Sequence, residues 1–188
     1  MVLVPIKAFT AAKARLGDAL DAQERADLAR ELAATILAAA DGLPVAVVCD
    51  DDEVEAFALE RGSATVRQVE PGLNAAVSEG AEWAAGLGFE RVLVAHADIP
   101  RAADLARIAH VGHDDTVVLV PDRHLDGTNV LVVPTRSGFE FAYGPGSFAA
   151  HQAEAARLGL EVVVVHDEAL AWDVDTADDL AAGLLTDP

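Results

Sequence analysis

Cysteine is almost absent from this sequence, since Cys49 is the single one among 188 residues. One thiol excludes an internal disulfide and a metal site built from cysteines. Because Cys49 ends the apolar run Pro44–Cys49, we expect it to be buried rather than a nucleophile. The sequence also lacks an apolar run of membrane-spanning length, and because Met1–Lys7 enters a strand-like segment directly, we expect no signal peptide. These absences predict a cytoplasmic protein.

Positive charge is scarce as well, with 13 lysines and arginines against 32 acidic residues and a net charge of −19. Such a chain repels nucleic acid and anionic lipid at long range, so we expect neither a nucleic acid nor a membrane as partner. The sequence has two lysines, Lys7 and Lys13, and both follow the first strand-like run. An anionic substrate would therefore be bound where this positive charge gathers.

Hydrophobic residues make up 52% of the sequence and the mean hydropathy is +0.26, which excludes a disordered chain. The length favours one domain over residues 1–188. Strand-like runs occupy 2–6, 44–49, 64–69, 91–95, 116–120, 129–133 and 161–165, with a short one near 171–174. Helix-like segments occupy 21–40, 51–61, 73–86, 102–110, 147–158 and 176–185.

The alternation of strands and helices predicts an α/β protein with three layers and a mostly parallel sheet. Near-continuous β-branched runs are typical of strands covered by helices on both faces. The pattern loosens after about residue 120, where only a loop separates two strands, so we expect an antiparallel element in the C-terminal half. Ligands bind at the carboxyl ends of parallel strands, which here places them near the loops 7–18, 49–52, 70–74 and 96–101.

Three aspartates are candidates for a metal site. Asp173 and Asp175 point to the same side if 172–175 is extended, and Asp98 ends the fourth strand. Crowded carboxylates repel one another unless a cation lies between them, and oxygen ligands suit Mg²⁺ or Mn²⁺. The alternatives are a solvated acidic turn before the helix that starts at Thr176, and a helix cap at Asp98.

The loop after the first strand carries Lys7, Lys13 and Arg15 with no acidic residue among them. In so acidic a chain this arrangement predicts a triphosphate-binding loop, although a solvated loop paired with surface acids is the alternative. The chain contains no GxxxxGK[ST] motif, so this loop is not a P-loop. Asn74, in another of the four loops, is a candidate contact for the nucleotide.

Two later segments offer hydrogen-bond donors. Gly127 permits a close approach of the backbone to a ligand and Thr128 offers a hydroxyl, although Asp-Gly is also a common hairpin turn. Gly144 and Ser147 flank the start of a helix, where backbone N–H groups bind anions.

Residues 144–149 also fit a G-x-G-x-x-[GA] dinucleotide fingerprint, with Asp167 at the expected distance, so an NAD-binding protein is a second interpretation. Only one short strand follows this segment, and Pro145 suits the tight glycine turn poorly. Both features count against NAD.

Taken in order along nearly the whole chain, these pieces resemble the CofC/FbiD guanylyltransferases of coenzyme F420 biosynthesis. The motifs are Lys7 with Lys13-Ala-Arg-Leu16, Leu73-Asn74, Ala97-Asp-Ile-Pro100, Pro121-Asp-Arg with Gly127-Thr-Asn129, Tyr143-Gly-Pro-Gly-Ser-Phe148 with His151, and Asp173-Val-Asp-Thr176. The departures are Ala97, where a glycine-type residue is frequent, and Tyr143, where phenylalanine is usual.

The resemblance implies a Rossmann-like nucleotidyltransferase fold and transfer of GMP from GTP to 2-phospho-L-lactate, phosphoenolpyruvate or 3-phosphoglycerate, with release of pyrophosphate. It also implies that Asp98, Asp173 and Asp175 hold divalent metals and that Thr128, Gly144 and Ser147 bind the acceptor acid. This chemistry needs positioning and charge neutralisation rather than a side-chain nucleophile. We therefore expect Lys7 to act with the three aspartates in catalysis, and Lys7, Lys13, Arg15 and Asn74 to bind the nucleotide.

The nearest alternative is another nucleotidyltransferase of the same fold, of the molybdopterin or sugar-nucleotide type. Those enzymes usually have a glycine-rich first loop, whereas Ala8–Leu16 contains no glycine. A glycosyltransferase would carry its paired aspartates after a middle strand rather than near the C-terminus. The sequence leaves open which acid is the acceptor and whether the protein is a monomer or homodimer.

Overall fold

The structure is a computed structural model that describes residues 1–184. Its seven strands form one sheet in the order β3-β2-β1-β4-β6-β5-β7. The strands are β1 (Val2–Pro5), β2 (Val45–Cys49), β3 (Ala64–Arg67), β4 (Arg91–Ala95), β5 (Thr116–Pro121), β6 (Thr128–Pro134) and β7 (Glu161–Val164). The helices are α1 (Ala22–Ala39), α2 (Asp52–Glu60), α3 (Leu73–Gly86), α4 (Leu105–Ala109), α5 (Ser147–Arg157) and α6 (Ala177–Leu184).

The sheet is parallel except for β6, which runs antiparallel to both β4 and β5. A short loop joins β5 to β6, and a short loop can reverse the chain but cannot cross over to a parallel position. The predicted antiparallel element in the C-terminal half is therefore confirmed. It brings the start of β6 beside the carboxyl end of β4, where Ala95 pairs with Val130.

Helices cover both faces of the sheet, as the β-branched runs predict. Along β1, Val2 and Val4 pack in the cluster formed with α1, α2 and α4, whereas Leu3 packs in the cluster formed with α3 and α5. This alternation follows from the two-residue period of a strand. The three-layer α/β prediction is confirmed.

Acidic side chains cap the N-terminal turns of α1 and α2. Asp21 and Glu24 form a reciprocal capping box at the start of α1, and the Asp51 carboxylate accepts two backbone N–H groups at the start of α2. The segment predicted as helix over 102–110 becomes helical only at Leu105. The helix predicted over 176–185 is α6, and residue 185 lies outside the described part of the chain.

The short strand predicted near 171–174 is wrong, because no sheet pairing reaches these residues. Their backbone hydrogen bonds go to loops instead: Ala171 N–H donates to Asp167 O at 2.8 Å, and Val174 N–H donates to Asp98 O at 3.1 Å. Val174 is buried beside Leu16 and Leu32. Asp173 and Asp175 therefore lie on a loop, and the buried side chain of Val174 between them anchors that loop.

Cys49 is buried, as expected. Across residues 1–184, no helix combines the length and the apolar character that crossing a bilayer requires.

Candidate active site

A cleft of about 540 Å³ opens at the carboxyl ends of β1, β2 and β4. Lys7, Lys13 and Arg15 line one side of it, and Asp98 and Asp175 line another. These residues come from three distant parts of the chain. The basic loop follows β1 and Asp98 follows β4, and these neighbouring parallel strands end at the same edge of the sheet. Asp175 joins them from the loop after β7, where Val174 N–H donates to Asp98 O.

The basic loop keeps its shape without glycine. It contains two 3-10 turns, Phe9–Ala11 and Ala14–Leu16, with Lys13 between them in the left-handed backbone region at φ 54°. A positive φ is uncommon for a residue other than glycine. Two buried side chains anchor the turns: Phe9 packs edge-on against Phe57, and Leu16 packs with Val174.

The ammonium of Lys13 lies among acceptors from the other two segments. Its Nζ is 3.0 Å from Asp98 Oδ2, 3.5 Å from Asp175 Oδ1 and 2.6 Å from the Val174 carbonyl oxygen. Arg15 approaches the other oxygen of Asp175 at 3.3 Å. Lys13 is only 10% exposed, so it is a built-in counter-ion of this acidic group.

Asp98 is ionised despite its surroundings. Burial by itself raises the pKa of this carboxyl, but Lys13 and, to a lesser extent, His96 oppose that effect, and the pKa lies below its ordinary value. The Oδ2 oxygen binds Lys13, whereas the buried Oδ1 oxygen has no hydrogen-bond partner in the described part of the chain. A buried carboxylate oxygen without a partner is costly, which favours a cation as its missing ligand.

Asp173 faces a different cation from Asp175. Its carboxylate is 3.8 Å from Arg123, whose guanidinium also binds the Asp173 carbonyl oxygen and Asp179 and lies 4.3 Å from the centre of the Trp172 ring. Burial raises the pKa of Asp173, and the nearby charges of Asp98 and Asp175 raise it further. The three aspartates are thus close enough to repel one another.

Oxygen ligands, mutual repulsion and an unpartnered oxygen fit a divalent cation. Over residues 1–184, however, no three acidic, histidine or cysteine side chains already form a metal-binding cluster. The cation that now lies between Asp98 and Asp175 is the Lys13 ammonium.

Lys7 and Asn74, two of the predicted nucleotide contacts, lie in different surroundings. Lys7 is exposed in the wall of the cleft. The amide of Asn74 instead binds the main chain of Tyr143 on both sides: Asn74 Nδ2 donates to Tyr143 O at 3.2 Å, and Tyr143 N–H donates to Asn74 Oδ1 at 2.7 Å. Asn74 therefore fixes the segment that leads to Gly144, and a direct contact with the nucleotide stays a prediction.

The predicted acceptor residues meet beside the start of α5. Thr128 and Ser147 are both buried, and Ser147 N–H donates to the Gly144 carbonyl at 3.1 Å. Gly144 and Gly146 have φ values of 133° and 74°, so this turn needs glycine at both positions. The turn is also tied to the β5–β6 loop, because Gly146 N–H donates to the Asp126 carboxylate at 3.1 Å.

The structure explains the glycine at position 127 by a contact that the sequence did not show. The carboxylate of Asp122 accepts backbone N–H groups from His124, Asp126 and Gly127. A β-carbon at position 127 would lie 2.8 Å from Asp122 Oδ2. The close approach at Gly127 in the structure is thus to Asp122, which shapes the loop before Thr128.

Two aromatic rings connect the cleft to the acceptor group. His96 lines the cleft, and its ring centre is 5.0 Å from that of Tyr143. Tyr143 in turn packs edge-on against His151 at 4.8 Å. The cationic cleft and the acceptor residues therefore belong to one continuous region.

Sequence reasoning gave no role to Arg123 and His151. Arg123 is one of few cations in an acidic chain, and it follows Pro121-Asp122 in a loop already singled out. His151 lies four residues after Ser147 and so on the same face of α5. Both signals can be read in the sequence, but the residues that Arg123 and His151 contact come from distant segments.

Comparison with known proteins identifies the family of the chain. Residues 1–186 match the family described as guanylyl transferase CofC like. A phosphoenolpyruvate guanylyltransferase from Rubrobacter xylanophilus is 37% identical, and the match covers 95% of this chain and 90% of the relative. A 2-phospho-L-lactate guanylyltransferase from Methanocaldococcus jannaschii is 28% identical, over 95% of this chain and 80% of the relative.

Among solved structures, a nucleotidyl transferase from Methanothermobacter superposes with a TM-score of 0.67 at 17% identity, covering 97% of this chain and 95% of that one. This likeness supports the Rossmann-like nucleotidyltransferase fold. The family match spans the basic loop, the aspartates and the α5 turn together, which favours it over the dinucleotide interpretation of residues 144–149. The chain belongs to the CofC-like guanylyl transferase family.

Proposed function

We propose that this protein transfers GMP from GTP to a small phosphorylated carboxylic acid and releases pyrophosphate, as a step in coenzyme F420 biosynthesis. The acceptor would be 2-phospho-L-lactate, phosphoenolpyruvate or 3-phosphoglycerate. One observation carries the proposal: in an acidic chain, the basic loop meets Asp98 and Asp175 in a single cleft. The names of the relatives support guanylyl transfer to a phospho-acid.

In this reaction an oxygen of the acceptor phosphate attacks the α-phosphorus of GTP. The bond from that phosphorus to the bridging oxygen of the β-phosphate breaks, and pyrophosphate leaves. Both reactants are anions, so the protein must neutralise charge and hold them in line. Lys7, Lys13 and Arg15 would bind the triphosphate and stabilise the departing pyrophosphate.

Asp98, Asp173 and Asp175 would hold Mg²⁺ or Mn²⁺, and the unpartnered Oδ1 of Asp98 supports this assignment. A bound metal would supply positive charge to the phosphates. Lys13 already neutralises two of these carboxylates. With a metal held by the aspartates, the Lys13 ammonium would be available to the triphosphate, and Arg123 would hold the Asp173 carboxylate in position.

Thr128, Gly144 and Ser147 would bind the acceptor acid through hydroxyl and backbone donors at the start of α5. These groups carry no formal charge, so they recognise the acid by directed hydrogen bonds. The cytoplasmic location and the choice between monomer and homodimer stay predictions.

The proposal is tested by incubating the protein with each nucleoside triphosphate in turn, Mg²⁺ and each of the three phospho-acids, followed by mass spectrometry. We expect a guanylylated acid and pyrophosphate from GTP with at least one of them. Product from another nucleoside triphosphate would show that the protein is not specific for GTP. The absence of product from every combination would overturn the proposal.

A further inference from the structure

His151 is a fully buried polar residue at the acceptor end of the site. It lies one turn after Ser147 on α5, and its ring reaches across to Thr128 at the start of β6. The roles proposed above give this side chain no part. A buried imidazole needs partners for both ring nitrogens, so its hydrogen bonds decide its state.

The partners of His151 select one tautomer. Its Nε2 is 3.1 Å from the backbone nitrogen of Ala142, which can only donate a hydrogen bond. Nε2 must therefore accept and carries no hydrogen. The hydrogen of the neutral ring is then on Nδ1, which is 3.0 Å from Thr128 Oγ1 and donates to it.

The ring is also held neutral. Burial, with a smaller contribution from His96, lowers the pKa of His151 to about 4. A protonated ring would place an Nε2–H against the N–H of Ala142, two donors facing each other. Geometry and burial therefore agree on a neutral imidazole with its hydrogen on Nδ1.

This state fixes the polarity of Thr128. A hydroxyl oxygen that accepts a hydrogen bond from Nδ1 keeps its own hydrogen for another acceptor. We propose that His151 is a positioning residue that makes the Thr128 hydroxyl a hydrogen-bond donor towards the anionic part of the phosphorylated acceptor. The inference rests on the proposed function for the identity of that acceptor, but the tautomer itself does not.

The same ring orders the segment that precedes Gly144. His151 binds Ala142, and the next residue, Tyr143, is bound at its main chain by Asn74. The His151 ring also packs against that of Tyr143. His151 thus links Thr128 on one side of the acceptor group to the glycine turn on the other.

The first test is the tautomer, measured by ¹⁵N NMR of the histidine side chains in the wild-type protein near pH 7. The His151 signals are assigned by their loss in His151→Gln. We expect a hydrogen on Nδ1 and none on Nε2. A hydrogen on Nε2, or a ring protonated at this pH, overturns the inference whether or not the protein shows guanylyltransferase activity.

The second test is a double-mutant cycle between His151 and Thr128, with phosphoenolpyruvate, 2-phospho-L-lactate and 3-phosphoglycerate as acceptors. We expect His151→Leu to raise the acceptor KM about tenfold, with the KM for GTP unchanged, as for loss of one directed hydrogen bond. In a Thr128→Val background the same change should have less than about a twofold effect. An equal effect in both backgrounds means that His151 does not act through Thr128.

His151→Gln is the conservative variant. A glutamine amide can accept from Ala142 with its oxygen and donate to Thr128 with its nitrogen, so it should recover most of the acceptor affinity. A variant that folds with wild-type thermal stability but binds acceptor as weakly as His151→Leu would contradict the proposed polarity. Failure of wild type to act on any acid would count against the proposed function, and the NMR result would still decide the state of the ring.

Discussion

The two ends of the candidate site, both proposed to bind an anion, are built in opposite ways. At the cleft, formal charges meet: Lys13 lies between Asp98 and Asp175, and Asp175 also faces the exposed Arg15. At the start of α5, Thr128, Ser147 and His151 are buried and uncharged, and hydrogen bonds together with ring packing hold them in place.

This difference indicates different tasks. Exposed charges such as those of Arg15 and Asp175 can exchange partners, as the proposed triphosphate subsite requires. Buried neutral groups cannot rearrange without leaving a donor or acceptor unpaired. The acceptor end therefore suits recognition of a small acid by a fixed pattern of donors. Single substitutions at each end can show whether charge dominates one and directed hydrogen bonds dominate the other.

The largest effect is expected from Asp173→Asn. Asparagine keeps the shape of the side chain but removes the negative charge proposed to hold a metal, so turnover should fall by about 10²-fold or more. GMP transfer, measured as pyrophosphate release at saturating GTP and acceptor, gives the rate. Thermal unfolding should show that the variant remains folded.

Asp178→Asn is the matched control, because Asp178 is an exposed acid in the first turn of α6 and its loss changes the net charge by the same amount. Its turnover should stay within about twofold of wild type. Equal rates for wild type and Asp173→Asn would remove Asp173 from the charged end of the site.

A second large effect is expected from removing Lys13, measured this time on stability. Lys13→Met leaves the half-buried Asp98 carboxylate without its nearest counter-ion, so the free energy of unfolding should fall by about 2–3 kcal/mol. Lys7→Met is the comparison, because Lys7 is exposed and should contribute less than about 0.5 kcal/mol. Urea denaturation measures the loss in free energy of unfolding for each variant. Equal losses would show that Lys13 stabilises the fold no more than the exposed Lys7 does.

Much of the fold could be predicted from the sequence. The apolar, valine-rich run of β4 (Arg91–Ala95) and the helix signals at Asp21 and Glu24 depend on neighbours in the chain, so pattern and capping rules find them. The strand expected near 171–174 failed because its sequence allows an extended backbone, but its backbone groups bond to loops instead of to another strand. Pairing with another strand is a long-range property that local pattern does not contain.

The candidate site was predictable in its location and less so in its contacts. Asp98 and the basic loop meet because parallel strands end together, which a topology argument can foresee. The pairing of Asp173 with Arg123 and the clamp of Asn74 on Tyr143 join side chains from distant segments. Side-chain direction at such distances follows from packing, so neither contact could be read from the sequence, although Arg123 stands in the Pro121-Asp-Arg motif.

Burial of His151 at the uncharged end should make the free energy of unfolding depend on pH. Burial lowers the pKa of His151 from 6.5 to about 4, so between these values the unfolded chain takes up a proton that the folded protein does not. Stability must therefore be fully present above pH 6.5 and fall as the pH drops towards 4. We expect a loss of about 2 kcal/mol between pH 8 and pH 5 from this residue, measured by urea denaturation.

His151→Gln isolates this contribution, because glutamine has no proton to gain in that range. The variant should lose less stability than wild type between pH 8 and pH 5, and its curve should run parallel to that of wild type above pH 7. Asp98, whose pKa is lowered, affects the curves only at more acidic pH and does so in both proteins. Identical slopes in the two proteins would show that His151 titrates normally.

The smallest effect is expected at Ser147, which sharpens the contrast between the two ends. Ser147→Ala removes one buried hydroxyl beside the acceptor turn, so the acceptor KM should rise about tenfold while the KM for GTP stays unchanged. Steady-state kinetics with each substrate varied in turn separates the two constants. Ser63→Ala, another buried serine, serves as the control for general loss of stability. A change confined to the GTP constant would reverse the two subsites, because the uncharged end would then bind the nucleotide and the charged cleft the acid.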